Sequence, residues 1–386
     1  MKKLEEKIYK KDFSFENFIS NSRENVAELN SKLLIILDNK KNLLKLKTSD
    51  LSLVEKIKED LKSNTLEKYE TFYLKPNVID ELKIIKEEKI IEYLVSRYKY
   101  EIFPKKKIVD DFPPVLQIEP SSICNYRCVF CFETDKTFTN KKNGFMGEMK
   151  FDLFKKIIDD AEGNINFLTL ASRGEPLVCK EIDKMLKYTE GKFLNVKLNT
   201  NASLLSEKNA HSILSGGVNT LIFSADAADE ETYSKLRVNG KLKTILKNIE
   251  QFKKIQNKHY SKKKIITRVS GVKVNSDQKI EDMENLWKGL VDQVAFVKYN
   301  PWENSYEKKN NSIEEPCSDL WRRMFIWWDG KSNPCDVDYK SLLEVGNFPD
   351  LNIRELWNSE RYSSLRKKHL SKNRKSLKPC SGCVVT

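Results

Sequence analysis

The sequence predicts an α/β fold built on a parallel sheet. After residue 114, short apolar runs rich in β-branched residues alternate with longer segments whose apolar residues have helical spacing. The predicted strands are VLQI (115–118), INFLTL (165–170), FLNVKL (193–198), NTLIFS (219–224), IITRVS (265–270) and QVAFVKY (293–299). The predicted helices include FDLFKKIIDDAEG, KEIDKMLKYTEG, SEKNAHSILSGG and KLKTILKNIEQFKKIQ. Strands that alternate with helices form parallel sheets with right-handed crossovers.

The composition indicates a cytoplasmic protein of two or three domains. The chain has 386 residues, of which 39% are hydrophobic, and no apolar run has the length needed to cross a bilayer. Its charged start, MKKLEEKIYKKDF, lacks the apolar stretch of a signal peptide. The net charge is +13, but the lysines are interleaved with acidic residues, so a nucleic-acid partner is not expected. In the cytoplasm the eight cysteines would stay reduced and free to bind metal.

The first 112 residues carry no catalytic motif and are predicted to be mostly helical. KLLIILDN and NLLKLK alternate enough to predict a short hairpin around a polar KK turn. DLSLVEKIKEDLKS and NVIDELKIIKEEKIIEYLVSRY have apolar residues at helical spacing. Asp111, Pro113 and Pro114 then mark a boundary.

A loop of three cysteines follows the first predicted strand of the sheet. Cys124, Cys128 and Cys131 form the pattern Cys-x3-Cys-x2-Cys in SSICNYRCVFCFE. Thiolates hold 4Fe–4S clusters, and three ligands leave one iron free to bind a small molecule. The alternative is a zinc knuckle or a chance cluster, and three thiols without a nearby histidine make a poor tetrahedral zinc site.

This loop resembles the signature of the radical S-adenosylmethionine (SAM) superfamily. The resemblance implies a partial, six-stranded (β/α)6 TIM-like barrel with its active site at the carboxyl ends of the strands. It also implies that SAM binds the open iron and that reductive cleavage yields a 5′-deoxyadenosyl radical. An external donor such as flavodoxin or ferredoxin would supply the electron.

Further motifs at successive strand ends resemble the SAM-binding residues of this superfamily. SRGEP (172–176) is similar to the Gly-Gly-Glu-Pro motif, with Arg173 in place of the first glycine. Arg237 is expected to pair with the SAM carboxylate, whereas Asp226 could instead shape a turn, because Asp caps helices readily. The resemblance implies cofactor-binding roles for Arg173, Gly174, Glu175, Pro176, Asn199, Ser224 and Arg237.

Four more cysteines lie near the carboxyl end, around a predicted hairpin in MFIWWDGKSNPC: Cys317, Cys335, Cys380 and Cys383. Their spacing resembles the SPASM extension, and more closely its shortened form, the twitch domain. That resemblance implies one auxiliary 4Fe–4S cluster with four cysteine ligands, hence two clusters in all. A four-cysteine zinc site is the alternative.

The predicted domains are 1–112, 113–310 (the barrel) and 311–386 (the SPASM/twitch domain).

The cysteine spacing resembles that of twitch dehydrogenases acting on aminocyclitol alcohols. The expected activity is therefore oxidation of a carbohydrate or aminocyclitol, and the auxiliary cluster is expected to accept an electron. A peptide maturase is the alternative, its amino-terminal hairpin and helices binding a leader peptide. An epimerase with Cys179 as a catalytic hydrogen-atom donor, or an RNA-modifying enzyme, is a further alternative; a lone cysteine is more often a small buried hydrophobe.

Overall fold

The computed structural model of the chain describes residues 8–21, 24–39, 43, 46–63 and 70–386. Its amino-terminal part is a strand followed by helices that share an apolar core. These elements are β1 (Phe15–Ser20), α1 (Val26–Leu37), α2 (Thr48–Ser63), α3 (Pro76–Leu82) and α4 (Ile90–Lys106). Among the described helices, none has the apolar length that a membrane crossing requires.

The hairpin predicted for KLLIILDN is wrong, because KLLIIL lies within α1. Asn25 caps this helix by accepting hydrogen bonds from the backbone N–H groups of Ala27 and Glu28. Leu33 and Leu37, four residues apart, are 1% and 0% exposed in the helical core. The helical spacing of the buried leucines therefore decides the local structure, and the alternation of apolar and polar residues does not. The second arm of the predicted hairpin lies largely outside the described residues.

The central part is a partial (β/α)6 barrel, and each of the six predicted strands is present. Its strands are β2 (Val115–Ile118), β3 (Arg127–Cys128), β4 (Phe167–Leu170), β5 (Asn195–Thr200), β6 (Thr220–Ser224), β7 (Arg237–Val238), β8 (Ile266–Lys273) and β9 (Gln293–Lys298). Its helices are α5 (Lys136–Thr139), α6 (Phe151–Ala161), α7 (Ile182–Tyr188), α8 (Glu207–Ser215), α9 (Glu230–Leu236), α10 (Leu242–His259) and α11 (Ile280–Trp287). The short strands β3 and β7 pair with each other apart from the main sheet.

The barrel sheet is extended at both of its edges. The parallel strands run in the order β2-β4-β5-β6-β8-β9, and β1 pairs antiparallel with β9. At the other edge β10 (Arg323–Ile326) pairs parallel with β2 and continues into β11 (Lys331–Asn333) and β12 (Gly346–Asn347). The predicted carboxyl-terminal hairpin is thus confirmed as β10 and β11, and helices α12 (Ile353–Trp357) and α13 (Glu360–Leu370) follow. The boundaries of the three predicted domains stay a prediction.

The amino-terminal helices close one end of the barrel. Val115 and Phe167, the first residues of β2 and β4, belong to the helical core. Glu81 on α3 forms an ion pair with Lys197 of β5, with 3.0 Å between Oε1 and Nζ. The hydroxyl of Tyr93 on α4 donates to the other Glu81 oxygen over 2.7 Å. The described helices therefore give this end of the barrel a charged, hydrogen-bonded floor.

Candidate active site

The loops that follow neighbouring parallel strands meet at the carboxyl edge of the sheet. The backbone N–H of Glu175, after β4, donates to the carbonyl oxygen of Ile123, after β2, over 3.0 Å. The side-chain amide of Asn201, after β5, donates to Asn125 Oδ1 over 2.9 Å. The loop with the first three cysteines and the loops predicted to bind SAM are thus one hydrogen-bonded unit.

The three cysteines of the first loop pack into a small apolar cluster with Tyr126 and Phe130. Burial raises the pKa of Cys124 to about 12, and it also raises the pKa values of Cys128 and Cys131. Neighbouring thiols add to this rise, which places the three within electrostatic reach of one another. A metal or cluster that binds them must therefore displace protons from the thiols.

Arg237 reaches the cysteine loop from β7. The pairing of β7 with β3 sets Arg237 opposite Cys128, and its Nη1 lies 3.8 Å from the Cys128 Sγ. Its Nε donates to Asp226 over 2.5 Å, and the fully buried Asp226 also accepts from the backbone N–H of Val272. Burial raises the pKa of Cys128, and the charge of Arg237 opposes that rise. Asp226 is the partner of this arginine, whereas the cap of α9 is Asp229.

Gly174 lies where the loop after β4 passes closest to the cysteine loop. A Cβ atom at this position would lie 2.5 Å from the carbonyl oxygen of Ser121 and 2.6 Å from that of Ile123. Since both contacts are with backbone, no side chain can be accommodated by a rotamer change. The close approach that the sequence predicts for this glycine is present, and it is made to the cysteine loop.

Glu175 is buried and joins two loops. Its carboxylate accepts from the Thr200 hydroxyl over 2.7 Å, from the backbone N–H of Asn201 over 2.7 Å and from that of Leu177 over 3.1 Å. Burial raises the pKa of Glu175, and these hydrogen bonds act against the rise. Pro176 opens the short 3-10 turn that follows. The described contacts of the Glu175 side chain are therefore with the protein itself.

Arg173 forms a fully buried ion pair with Glu119. Its Nε and Nη2 donate to the two Glu119 oxygens over 2.7 and 2.6 Å, and both side chains are at most 2% exposed. Its Nη1 donates to the carbonyl oxygen of Tyr339, and its guanidinium lies 4.3 Å from the ring centroid of Trp327. The residue that replaces the family's first glycine thus joins the barrel to the carboxyl-terminal segment. Sequence reasoning missed Glu119; its signal was a charged residue directly after the apolar strand VLQI.

One predicted SAM-binding residue, Asn199, and Ser172 at the start of the SRGEP segment have polar atoms that the described residues do not satisfy. Asn199 Oδ1 and Ser172 Oγ are buried and have no hydrogen-bond partner among the described residues. Ser224 is the last residue of β6, which neighbours β5 in the sheet, and it is half-buried. Buried polar atoms are paired in most structures, so an unpaired set at one site indicates a polar ligand. SAM, with its amino, carboxylate and ribose groups, fits this requirement.

The four carboxyl-terminal cysteines are brought together although they are distant in sequence. Burial raises the pKa of Cys317 to about 11 and raises the pKa values of Cys335, Cys380 and Cys383. Cys317 and Cys380 both add to the rise at Cys335, so the thiols lie within electrostatic reach. In the part of the chain that is described, no three His, Cys, Asp or Glu side chains are grouped as ligands of one metal ion. Cysteines that hold a multi-iron cluster surround a larger object than one ion.

Cys179 lies in the main apolar core, between the loop after β4 and α7. It is 2% exposed, and its Sγ lies 3.8 Å from the carbonyl oxygen of Met149. Burial raises the pKa of this thiol to about 11. Its surroundings are those of a small buried hydrophobe, and its catalytic role stays a prediction.

The barrel lumen above the helical floor is polar. Successive side chains of a strand point to opposite faces, and the outward residues of β4, β5 and β6 are buried beneath the helices. The inward residues of these strands that keep exposed surface are Thr169, Lys197, Asn199 and Ser224. A side chain that stays partly exposed inside a barrel faces a solvent-filled cavity. All four side chains carry hydrogen-bonding groups. The alternation of residues along the predicted strands could have indicated this polar inner face, but it was not predicted.

Comparisons with known proteins agree with this site. The family model of the Radical SAM superfamily matches residues 118–286, and that of an iron-sulfur cluster-binding domain, SPASM, matches residues 317–384. A GTP 3′,8-cyclase of Clostridium botulinum is 26% identical over 210 residues, which cover 52% of this chain and 63% of the relative. The chain thus spans less than two thirds of the length of the first curated relatives it matches.

Solved structures show the same fold. The crystal structure of SuiB from Streptococcus suis matches with a TM-score of 0.51 and 16% identity, covering 90% of this chain and 84% of SuiB. SuiB bound to its precursor peptide SuiA matches with a TM-score of 0.50 and 15% identity, covering 82% of this chain and 80% of that chain.

The barrel, the cysteine loop and the polar strand ends define an enzyme that binds an iron–sulfur cluster and SAM. The chain carries a radical SAM domain and, towards its carboxyl end, a SPASM iron–sulfur cluster-binding domain. The first domain implies a 4Fe–4S cluster and SAM as cofactors, and the second implies additional iron–sulfur binding.

Proposed function

We propose that this radical SAM enzyme oxidises a hydroxyl-bearing small molecule, such as a carbohydrate or an aminocyclitol, inside its barrel. The polar lumen carries the proposal: next to the residues assigned to SAM below, Thr169 and Lys197 offer hydrogen bonds to a substrate rich in hydroxyl or amino groups. An apolar substrate would bury these groups without partners, at a cost of about 1–3 kcal/mol each. The closed floor favours a compact substrate over a chain that threads through the barrel.

The geometry above supports the following assignment of the cofactor sites. We assign the core cluster to Cys124, Cys128 and Cys131, and the auxiliary cluster to the four carboxyl-terminal cysteines. We assign SAM to the carboxyl edge of β4, β5 and β6, where Asn199 and Ser224 offer polar groups. In this assignment Gly174 contributes backbone. Arg173, Glu175 and Pro176 shape the loop, and Arg237 holds the cysteine loop beside its Cys128 contact.

When bound, the reduced core cluster and SAM supply a 5′-deoxyadenosyl radical that removes a hydrogen atom from a substrate carbon. Loss of one proton and one electron then completes a two-electron oxidation of the carbinol to a carbonyl. The auxiliary site is the proposed electron acceptor. The protein contributes positioning: the Lys197 ammonium, held by Glu81, donates to a substrate oxygen, and the helical floor closes one end of the barrel to bulk water.

The test is anaerobic turnover of the reconstituted enzyme with a panel of aminocyclitols and sugars. We expect a substrate-dependent rise in 5′-deoxyadenosine, with one product lighter by two hydrogens for each molecule formed. Lys197→Met should lower turnover at least tenfold with SAM binding unchanged, whereas Lys187→Met, on the outer surface of α7, serves as the matched control. Normal turnover by Lys197→Met would contradict the assigned lumen.

The alternatives give different products in the same assay. Stimulation by a short peptide and not by polyols would favour a peptide maturase, although the amino-terminal hairpin expected for leader binding is a helix in the described residues. Incorporation of one solvent deuterium without net oxidation would favour an epimerase. In that case Cys179 would be the first hydrogen-atom donor to replace.

A further inference from the structure

A buried arginine, Arg374, lies beside the carboxyl-terminal cysteines and has no carboxylate partner among the described residues. Arg374 is 1% exposed. Its two terminal nitrogens donate only to backbone carbonyl oxygens, those of Glu315, Cys380, Cys383 and Val385. Its Nε is buried and has no hydrogen-bond partner in the described part of the chain.

A buried guanidinium is costly unless a negative charge compensates it. Most of the other buried charged side chains among the described residues form ion pairs, as Arg173 does with Glu119 and Arg237 does with Asp226. Arg366, in the same segment, lies between the rings of Trp357 and Tyr362, which supply a cation–π partner. Arg374 has neither kind of partner among the described residues.

The guanidinium of Arg374 contacts the loop that carries two of the carboxyl-terminal cysteines, through the carbonyl oxygens of Cys380 and Cys383, so an anionic group held there would lie beside it. His369 Nδ1 accepts the backbone N–H of Cys317 over 3.2 Å, which leaves the proton on Nε2. That Nε2 is a second buried donor without a partner in the described residues. Both donors fit an anionic group held by the cysteines.

We propose that Arg374 is the charge-compensating residue of the auxiliary cluster. Its carbonyl hydrogen bonds hold the loop of Cys380 and Cys383, and its charge stabilises the reduced, more negative state of the cluster. This inference rests on the proposed assignment of the auxiliary cluster. It predicts that the arginine raises the reduction potential of the proposed electron acceptor and so makes electron uptake easier.

The experiment isolates the auxiliary cluster in the full-length chain. In a background with Cys124, Cys128 and Cys131 replaced by Ala, the midpoint potential is measured by an anaerobic redox titration followed by electron paramagnetic resonance, together with iron content. Arg374→Gln removes the charge and Arg374→Lys retains it. Arg354→Gln removes an exposed arginine of the same segment and controls for net charge.

We expect a more negative midpoint potential for Arg374→Gln, and values near that of the background for Arg374→Lys and the control. Loss of iron from the Gln variant but not from the Lys variant supports the proposal equally. An unchanged potential in Arg374→Gln, or equal effects of Gln and Lys, would overturn the charge role. A background protein with zinc or without iron would instead refute the assignment of the cluster, so the two failures are distinguishable.

Discussion

Breaking the ion pair between Arg173 and Glu119 should unfold the protein at much lower denaturant concentration. Arg173→Met keeps much of the side-chain volume but leaves the Glu119 carboxylate, 0% exposed, without its cation. The carboxylate would retain the backbone N–H groups of Arg173 and Trp328 as donors. Removal of one member of a buried pair costs about 3–5 kcal/mol. The guanidinium contact with the Trp327 ring, lost in the same variant, adds to this cost.

The assay is urea unfolding of the reconstituted protein followed by tryptophan fluorescence, with the shift in midpoint converted through the common slope. Arg173→Met combined with Glu119→Leu removes both charges and should be more stable than Arg173→Met alone. Arg354→Met breaks the exposed pair with Asp111 and should change the free energy of unfolding by less than about 1 kcal/mol. The reasoning is refuted if Arg173→Met behaves like this control, or if the double variant is the least stable.

Three further predictions concern the cofactor sites and the floor of the barrel. Replacement of Cys124, Cys128 and Cys131 by Ala should leave about four of about eight irons per chain and abolish formation of 5′-deoxyadenosine; full iron retention would contradict the core assignment. Glu175→Ala should weaken SAM binding by about 1.5–3 kcal/mol in equilibrium titration, because the loop loses its charge-assisted bonds, while iron content stays constant. Burial alone would raise the pKa of Glu81, but two neighbouring cations hold it at about 2. A carboxyl with a folded pKa below its unfolded value stabilises the protein above pH 4.5 and loses this effect as the pH falls towards 2. Acid unfolding of Glu81→Gln should therefore depend less steeply on pH in that window.

The sequence was informative wherever one local pattern decides the structure. The parallel strands could be predicted because apolar runs of strand length recur between amphipathic helices, and VLQI matches β2 residue for residue. The roles of the cysteine loop and of Gly174 could also be predicted, because each role requires a residue type that no other residue replaces. The structure of the KLLIILDN segment could not be predicted, because its leucines could be buried either in a strand or in a helix. Packing against the neighbouring helices decides for the helix.

Long-range pairing was out of reach for the same reason. Nothing near β1 indicates that it joins β9, and nothing near β10 indicates that it joins β2. Arg173 was read as a substituted glycine, whereas its partner Glu119 lies 54 residues earlier in the chain. Buried charges find their partners through the assembled fold, so their roles follow from the structure and not from spacing.

The pairing of β10 with β2 fixes how far apart the two proposed iron sites can lie. Adjacent strands are about 4.8 Å apart. Cys124 follows the carboxyl end of β2, and Cys335 follows β11, which returns antiparallel beside β10 towards its amino end. Under the proposed assignment, the gap that an electron crosses is therefore set by a ladder of backbone hydrogen bonds and not by a hinge. Under this assignment, electron transfer between the two proposed iron sites is not controlled by moving one domain away from the other. Gating would then come from the molecules that enter and leave the site, which are the substrate and SAM.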